Sequence, residues 1–242
     1  MADDFNKLAG VIGARNSTVD GGKGLTRAAS WIEGILGPSN TGYAVQKFNG
    51  PETGGQPILR IDLQGSEEKA PPLWIVSAYD SPIDEKGIAE ASSAVVAMVA
   101  AAQAVAGDKP MRPIRFVFLP HGHETSQSVS TTEARFMKMV SEEAKAHSIL
   151  CLGNLRGSGG LALASGDSSN PALAALSALG TVLPVEKANG TLAARLFSSG
   201  LPAVSLTADP AEPVAAGATE SELLATSTGR FVELIRRLMV GK

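Results

Sequence analysis

The sequence predicts a three-layer α/β/α sandwich built on a mixed, mainly parallel β-sheet. From residue 73 onward, short and wholly apolar segments alternate with helical segments, a pattern typical of buried parallel strands. Before them, two β-rich segments flank a turn-rich stretch, which is typical of an antiparallel hairpin. The chain has 242 residues, of which 44% are apolar, enough for one large core. We therefore predict that residues 1–242 form a single domain.

The N-terminal part of the chain contains one clear helix and the hairpin. Apolar residues recur at helical spacing over residues 24–37, and a Gly-Pro pair ends the pattern. Strands are predicted at 43–48 and 57–63, because the seven residues 49–55 between them are rich in Gly, Pro, Asn and Thr. We expect these two strands to pair antiparallel.

The rest of the chain alternates between strands and helices. The predicted elements are strand 73–77, helix 90–105, strand 114–119, helix 133–146, strand 149–152, the apolar segments 171–179 and 192–197, strand 203–206 and helix 221–240. In sheets of this kind, functional groups lie on the loops that leave the carboxyl ends of the strands. Attention therefore falls on residues 78–81, 120–124 and 153–155.

Composition excludes several classes of function. A formal net charge of -3 and a pI near 5.7 provide no basic surface for nucleic acid. No apolar run approaches the roughly 20 residues of a membrane span, and the start Met1-Ala2-Asp3-Asp4 lacks the features of a signal peptide. We expect a soluble chain with neither a nucleic-acid partner nor a membrane span. The compartment stays open, because a piece of an exported protein would look the same.

Three local features have structural explanations. The single cysteine, Cys151, lies in an apolar run and is expected to be a buried thiol, which excludes a disulfide or a cysteine-based zinc knuckle. His147 is expected to end the helix 133–146, where the helix dipole favours a positive charge. Glu220 and Glu222 are expected in the first turn of the last helix.

Five segments occur in an informative order: residues 74–81 (WIVSAYDS), 87–98 (GIAEASSAVVAM), 112–119 (RPIRFVFL), 151–155 (CLGNL) and 200–204 (GLPAV). They resemble, in turn, the His-x-Asp loop, the G-A-N-D-N-A-S-G-V-A-A-L helix start, the strand before the Glu-Glu pair, I-N-L-D-M and G-I-P-A-V. These are motifs of the co-catalytic zinc aminopeptidases, a family that includes bacterial leucine aminopeptidases, glutaminyl cyclases and the transferrin receptor ectodomain. The resemblance implies a zinc-exopeptidase-like fold. In the family, two zinc ions are held by imidazole and carboxylate groups, with one bridging Asp and a Glu general base.

The early motifs of this chain depart from the family pattern. Ala78 stands where the first His ligand is expected, and it cannot bind a metal. Asp80 matches the carboxylate that orients this His, and position 78 provides no His for it to orient. Glu90 stands in the place of the bridging Asp and is one methylene longer.

The later motifs depart as well. His123 and Glu124 stand at the Glu-Glu pair, so a His takes the general-base position and one ligand position keeps its carboxylate. Asn154 replaces a later Asp ligand and is neutral. The last His ligand has no counterpart, because no His follows His147.

Two hypotheses follow from this comparison. In the first, the domain has lost its di-zinc site, holds no metal cofactor and is a non-catalytic binding or scaffold domain for an unidentified protein or peptide. In the second, it is a metal-dependent peptidase or amidohydrolase with a remodelled site for a single zinc ion. The groups available to such a site are Asp80, Glu90, His121, His123 and Glu124. Because the fold does not fix the function, the site has to decide between them, and its changed ligand positions favour the first hypothesis.

Overall fold

The computed structural model describes residues 1–50, 53–67, 69–123, 127–143, 145–157, 160–177, 181–183, 190–212, 214 and 216–240. The α-helices are α1 (Ala2–Phe5), α2 (Lys23–Leu36), α3 (Pro38–Thr41), α4 (Glu85–Ala104), α5 (Gln127–Ser141), α6 (Pro171–Leu176), α7 (Leu192–Ser198) and α8 (Glu220–Met239). A π-helical segment, Asn6–Ile12, follows α1, and a 3-10 turn, Asp20–Gly22, precedes α2. The strands are β1 (Gln46–Phe48), β2 (Ile58–Leu63), β3 (Leu73–Ala78), β4 (Ile114–Leu119), β5 (Ser148–Leu152), β6 (Leu161–Ala164), β7 (Thr181–Val182) and β8 (Ala203–Ala208).

All eight strands belong to one sheet in the order β1-β2-β4-β3-β5-β8-β6-β7. The central neighbours β4, β3, β5 and β8 are parallel, whereas β1 and β2 pair antiparallel, as do β2 and β4, and β8 and β6. The predicted mixed, mainly parallel sheet and the predicted hairpin are confirmed. Because the central strands are parallel, the loops after Ala78, Leu119 and Leu152 leave the same edge of the sheet.

Helices cover both faces of this sheet. Successive side chains of a strand point to opposite faces, and those of β3 alternate between two buried clusters. Leu73 and Ile75 pack in a cluster with α2, α4 and α8, while Trp74 and Val76 pack in a second cluster with α5 and α7. The three-layer architecture is therefore confirmed.

Helix α4 lies in the core between the sheet and two other helices. Among the described helices, it alone is long and apolar enough to cross a membrane, but 61% of its most apolar stretch is buried inside the protein. It contacts β3, α2 and α8. These contacts account for its apolar composition as that of a core helix.

Two predicted helix boundaries are wrong. Helix α4 begins at Glu85 rather than at 90, because the Asp84 side chain accepts a hydrogen bond from the Gly87 N–H at 2.8 Å and caps the helix earlier. Helix α5 runs from Gln127 to Ser141 rather than over 133–146. The capping of α8 is confirmed, since Thr219 and Glu222 form a reciprocal capping box.

Because α5 ends at Ser141, His147 is not a helix residue. This residue lies outside the helix and directly before β5, and its backbone N–H donates to the Pro72 carbonyl at 2.9 Å. Burial, and secondly the charge of Arg112, lower the pKa of His147. The predicted stabilisation of a charged His147 by a helix dipole is therefore wrong.

Candidate functional site

The loop after β3 and the loop after β4 are joined through Asp80. The Asp80 side chain is fully buried, and its Oδ1 accepts the Gly122 backbone N–H at 2.9 Å. Its Oδ2 accepts the His123 backbone N–H, also at 2.9 Å. Burial raises the pKa of Asp80, against the opposing effects of the His123 charge and the two backbone hydrogen bonds. Both carboxylate oxygens thus hold the β4 loop in place.

A buried arginine, Arg15, holds the loop after β3. The Arg15 Nε donates to the Tyr79 carbonyl at 2.7 Å, and its Nη1 donates to the carbonyls of Leu8 and Gly13. The Arg15 backbone also exchanges hydrogen bonds with Ser81. Burial lowers the pKa of Arg15 to about 10, while the charge of Asp80 opposes this shift. The Arg15 guanidinium therefore provides positive charge near Asp80.

Ala78, which stands where the first His ligand of the zinc aminopeptidases is expected, is closely packed. A Cβ atom added to Gly122 would lie 2.5 Å from the Cβ of Ala78. Atoms not bonded to one another do not approach so closely, so the β4 loop rests directly against the Ala78 side chain. The loop leaves little space for a larger side chain at position 78.

The two histidines of the β4 loop have different surroundings. His121 is 1% exposed, and its Nε2 lies 3.1 Å from the Thr53 carbonyl oxygen. His123 is exposed, although its backbone contacts Asp80. Glu124 lies outside the described residues. The structure therefore brings Asp80 and His123 together through the main chain.

The remaining two described candidates, Glu90 and Asn154, are linked through Ser93. The Ser93 hydroxyl lies 2.6 Å from the Glu90 carbonyl oxygen and 3.2 Å from Asn154 Oδ1. Asn154 Oδ1 also accepts the Arg156 backbone N–H at 2.9 Å. The Glu90 carboxylate lies 3.9 Å from Lys86 Nζ. The Asn154 carboxamide is thus tied to α4 and to its own loop.

Arg156 is the central side chain of the cleft at the carboxyl end of β5 and β8. Its guanidinium forms an ion pair with Glu220 and lies 5.5 Å from the centre of the Phe5 ring. Three adjoining hollows of about 260, 320 and 340 Å³ have Arg156 in their walls. Glu90 and Asn154 line the largest of them. Ion pairs between protein side chains therefore occupy part of this cleft.

Comparison with known proteins identifies the fold. No protein-family model matches the sequence, and no curated protein matches it. The Legionella pneumophila LapA aminopeptidase superposes with a TM-score of 0.73 at 13% identity, over 100% of this chain and 70% of LapA. BSAP, a zinc aminopeptidase from Bacillus subtilis, gives 0.55 at 10% identity over 78% and 52%. The chain has the zinc aminopeptidase fold. A glutaminyl cyclase from Tannerella forsythia has it too, with a TM-score of 0.55 at 13% identity over 100% and 99%.

Among the described residues, Ala78, Asp80 and Asn154 do not present the set of free ligand atoms that the pair of zinc ions of a zinc aminopeptidase needs. Ala78 has no ligand atom, both oxygens of Asp80 accept backbone N–H groups, and Asn154 Oδ1 accepts the Arg156 backbone N–H and lies 3.2 Å from the Ser93 hydroxyl. In the described part of the chain, no three His, Cys, Asp or Glu side chains are grouped so as to hold a metal ion. The sequence motifs place Asp80 after β3, His123 after β4 and Asn154 after β5. They give no indication of Arg15 or Arg156, which belong to none of the five motifs.

Proposed function

We propose that this domain keeps the zinc aminopeptidase fold without its di-zinc centre and acts as a non-catalytic binding or scaffold domain. The observation that carries the proposal is the use of Asp80. One of its oxygens accepts the Gly122 backbone N–H and the other accepts the His123 backbone N–H. Both oxygens therefore hold the main chain of the β4 loop. Arg15 supplies nearby positive charge from within the chain.

Electrostatics supports the same conclusion. Two dications held close together repel each other strongly, so a di-zinc site needs several anionic ligands and a bridging carboxylate. Here Asn154 is neutral, and the Glu90 carboxylate lies near the Lys86 ammonium. The chain has no counterpart of the last His ligand, because its final histidine is His147. Each of these differences weakens the binding of a second ion.

The alternative, a hydrolase with a single zinc ion, would require the loop to rearrange. His121 would have to leave the Thr53 carbonyl, and Asp80 would have to bind the ion through the lone pairs that its two backbone hydrogen bonds leave. In addition, His123 would have to replace a carboxylate general base from a different position, and such misplacement costs on the order of a hundredfold in rate.

The proposal is tested by assaying the full chain for the two activities named in the comparison structures. The substrates are leucine and alanine arylamides for aminopeptidase activity and a peptide with N-terminal glutamine for cyclisation, each with and without added zinc. We expect no turnover above the background rate in either case. Zinc-dependent turnover that disappears in Glu124→Ala would support the hydrolase instead, provided that it persists in the control Glu67→Ala, which alters an exposed carboxylate outside the candidate site.

A further inference from the structure

A groove of about 370 Å³ lies between the π-helical segment Asn6–Ile12 and helix α2. Its apolar lining consists of Val11, Ile12 and Trp31. Lys7 and Arg27 also line it, together with two hydroxyl-bearing side chains of α2. None of these residues lines the hollows around Arg156, so the groove is distinct from the candidate site.

The apolar side chains of the groove are open to solvent on one side. Val11 is 68% exposed, a high value for a large aliphatic side chain. Ile12 and Trp31 are half-buried and pack against the main core on their inner side. A single exposed apolar residue is ordinary, but several gathered along one concavity are typical of an interaction surface.

The charge of the groove has one sign. Lys7 and Arg27 are both exposed, and neither lies within 4 Å of a carboxylate in the described part of the chain. The groove lining contains no Asp or Glu. The chain as a whole carries a net charge of -3, so this positive, apolar groove contrasts with the average surface. Complementary charge would both attract and orient an acidic partner.

We infer that this groove is a docking surface for an acidic amphipathic helix of a partner protein. A groove between two helical segments suits the apolar face of a third helix, whose side chains enter at positions three and four residues apart. The acidic residues beside that apolar face would meet Lys7 and Arg27. The inference rests on the proposed binding role and specifies the chemistry of the partner.

A membrane surface fits the groove less well than a helix does. Membrane-binding faces present a broad set of protruding apolar side chains to the lipid. Here only Val11 projects strongly, while Ile12 and Trp31 lie within a concavity. The concave shape favours a partner that inserts side chains.

The test is a selection of randomised helical peptides of about 16 residues, a length that sustains helix formation, for binding to the full chain. Labelled copies of the selected peptides are then titrated by fluorescence anisotropy. We expect acidic residues flanking an apolar stripe. We expect about tenfold or greater weakening with the double variant Lys7→Glu/Arg27→Glu and with Val11→Asp. The matched control Lys23→Glu changes charge on the same helix outside the groove and should leave the affinity unchanged.

Several outcomes would overturn the inference. These are the recovery of no acidic amphipathic peptide, peptide binding that the double variant leaves intact, or equal weakening by the Lys23→Glu control. If, instead, the chain sediments with phosphatidylserine vesicles through Lys7 and Arg27 and selects no such peptide, the surface is a membrane site. Failure of the peptide test would leave the zinc and activity measurements unaffected, so the two proposals are distinguishable.

Discussion

The replacement of Asp80 by Asn tests the structural role of this carboxylate. The substituted amide keeps one oxygen acceptor but turns its NH2 group toward a backbone N–H that Asp80 now satisfies, either at Gly122 or at His123. A hydrogen bond to a charged group contributes about 1.5–3 kcal/mol, and an unsatisfied buried donor costs about 1–3 kcal/mol. Asn has no charge, so the variant avoids the desolvation cost that raises the pKa of Asp80, and this offsets part of the loss.

We therefore expect Asp80→Asn to lower the free energy of unfolding by about 2 kcal/mol. For a chain of this length, that corresponds to a fall in Tm of about 4–8 °C. Urea denaturation followed by circular dichroism measures the change, once in EDTA and once with added zinc. If Asp80 holds the loop rather than a metal, the loss of stability is the same under both conditions.

Glu90→Gln provides a matched control for Asp80→Asn. It makes the same carboxylate-to-amide change at another predicted position of the metal site, but the Glu90 side chain is partly exposed, and its carboxylate lies 3.9 Å from Lys86 Nζ. Surface ion pairs of this kind contribute about 0–1 kcal/mol, so the control should stay close to the wild type. A destabilisation by Asp80→Asn that appears only with zinc, or that fails to exceed the control, would refute the structural role.

Three further predictions concern packing, pH and thiol chemistry. A Cβ added by Gly122→Ala would lie 2.5 Å from that of Ala78, so this variant should lower the free energy of unfolding by about 1–3 kcal/mol in urea titrations. Adding Ala78→Gly removes the clash and should restore most of the lost stability. Since burial and Arg112 lower the pKa of His147 in the folded state, the unfolded chain binds a proton more readily as pH falls below about 6.5. The free energy of unfolding should therefore fall as the pH is lowered below about 6.5, and it should fall less steeply in His147→Gln. The same dependence on pH in both proteins would contradict this prediction. Cys151 is buried and its thiol pKa is raised, so it should react with a thiol reagent only on unfolding, and rapid labelling of the native chain would show otherwise.

Much of the fold is predictable because its central strands have a strong sequence pattern. Strands β3, β4 and β8 consist mainly of apolar residues separated by helical segments, and strand β4 has the predicted bounds. Strand β6 has only four residues and β7 only two, too few to distinguish a strand from an apolar loop. Helix α5 begins with a Ser- and Thr-containing stretch of low helix propensity, so its first turns escape prediction.

The candidate site is less predictable than the fold. The motifs place Asp80, His123 and Asn154 on the loops that leave one edge of the sheet, and this follows from strand order. What the side chains do depends on backbone groups far away in sequence: the hydrogen bonds of Asp80 to the β4 loop span more than forty residues, and those of Arg15 to Tyr79 span 64. Such pairings leave no local pattern in the sequence.

A zinc titration by calorimetry tests the central claim most directly. The full chain, purified without chelators, is titrated with zinc alongside Asp80→Asn, which removes one carboxylate from the candidate site. If the family's di-zinc centre has been lost, the chain binds fewer than two zinc equivalents and has no pair of sites of about micromolar or better affinity. Two equivalents bound at about micromolar or better affinity, with the affinity reduced in Asp80→Asn, would contradict the claim and establish a metal centre in this domain.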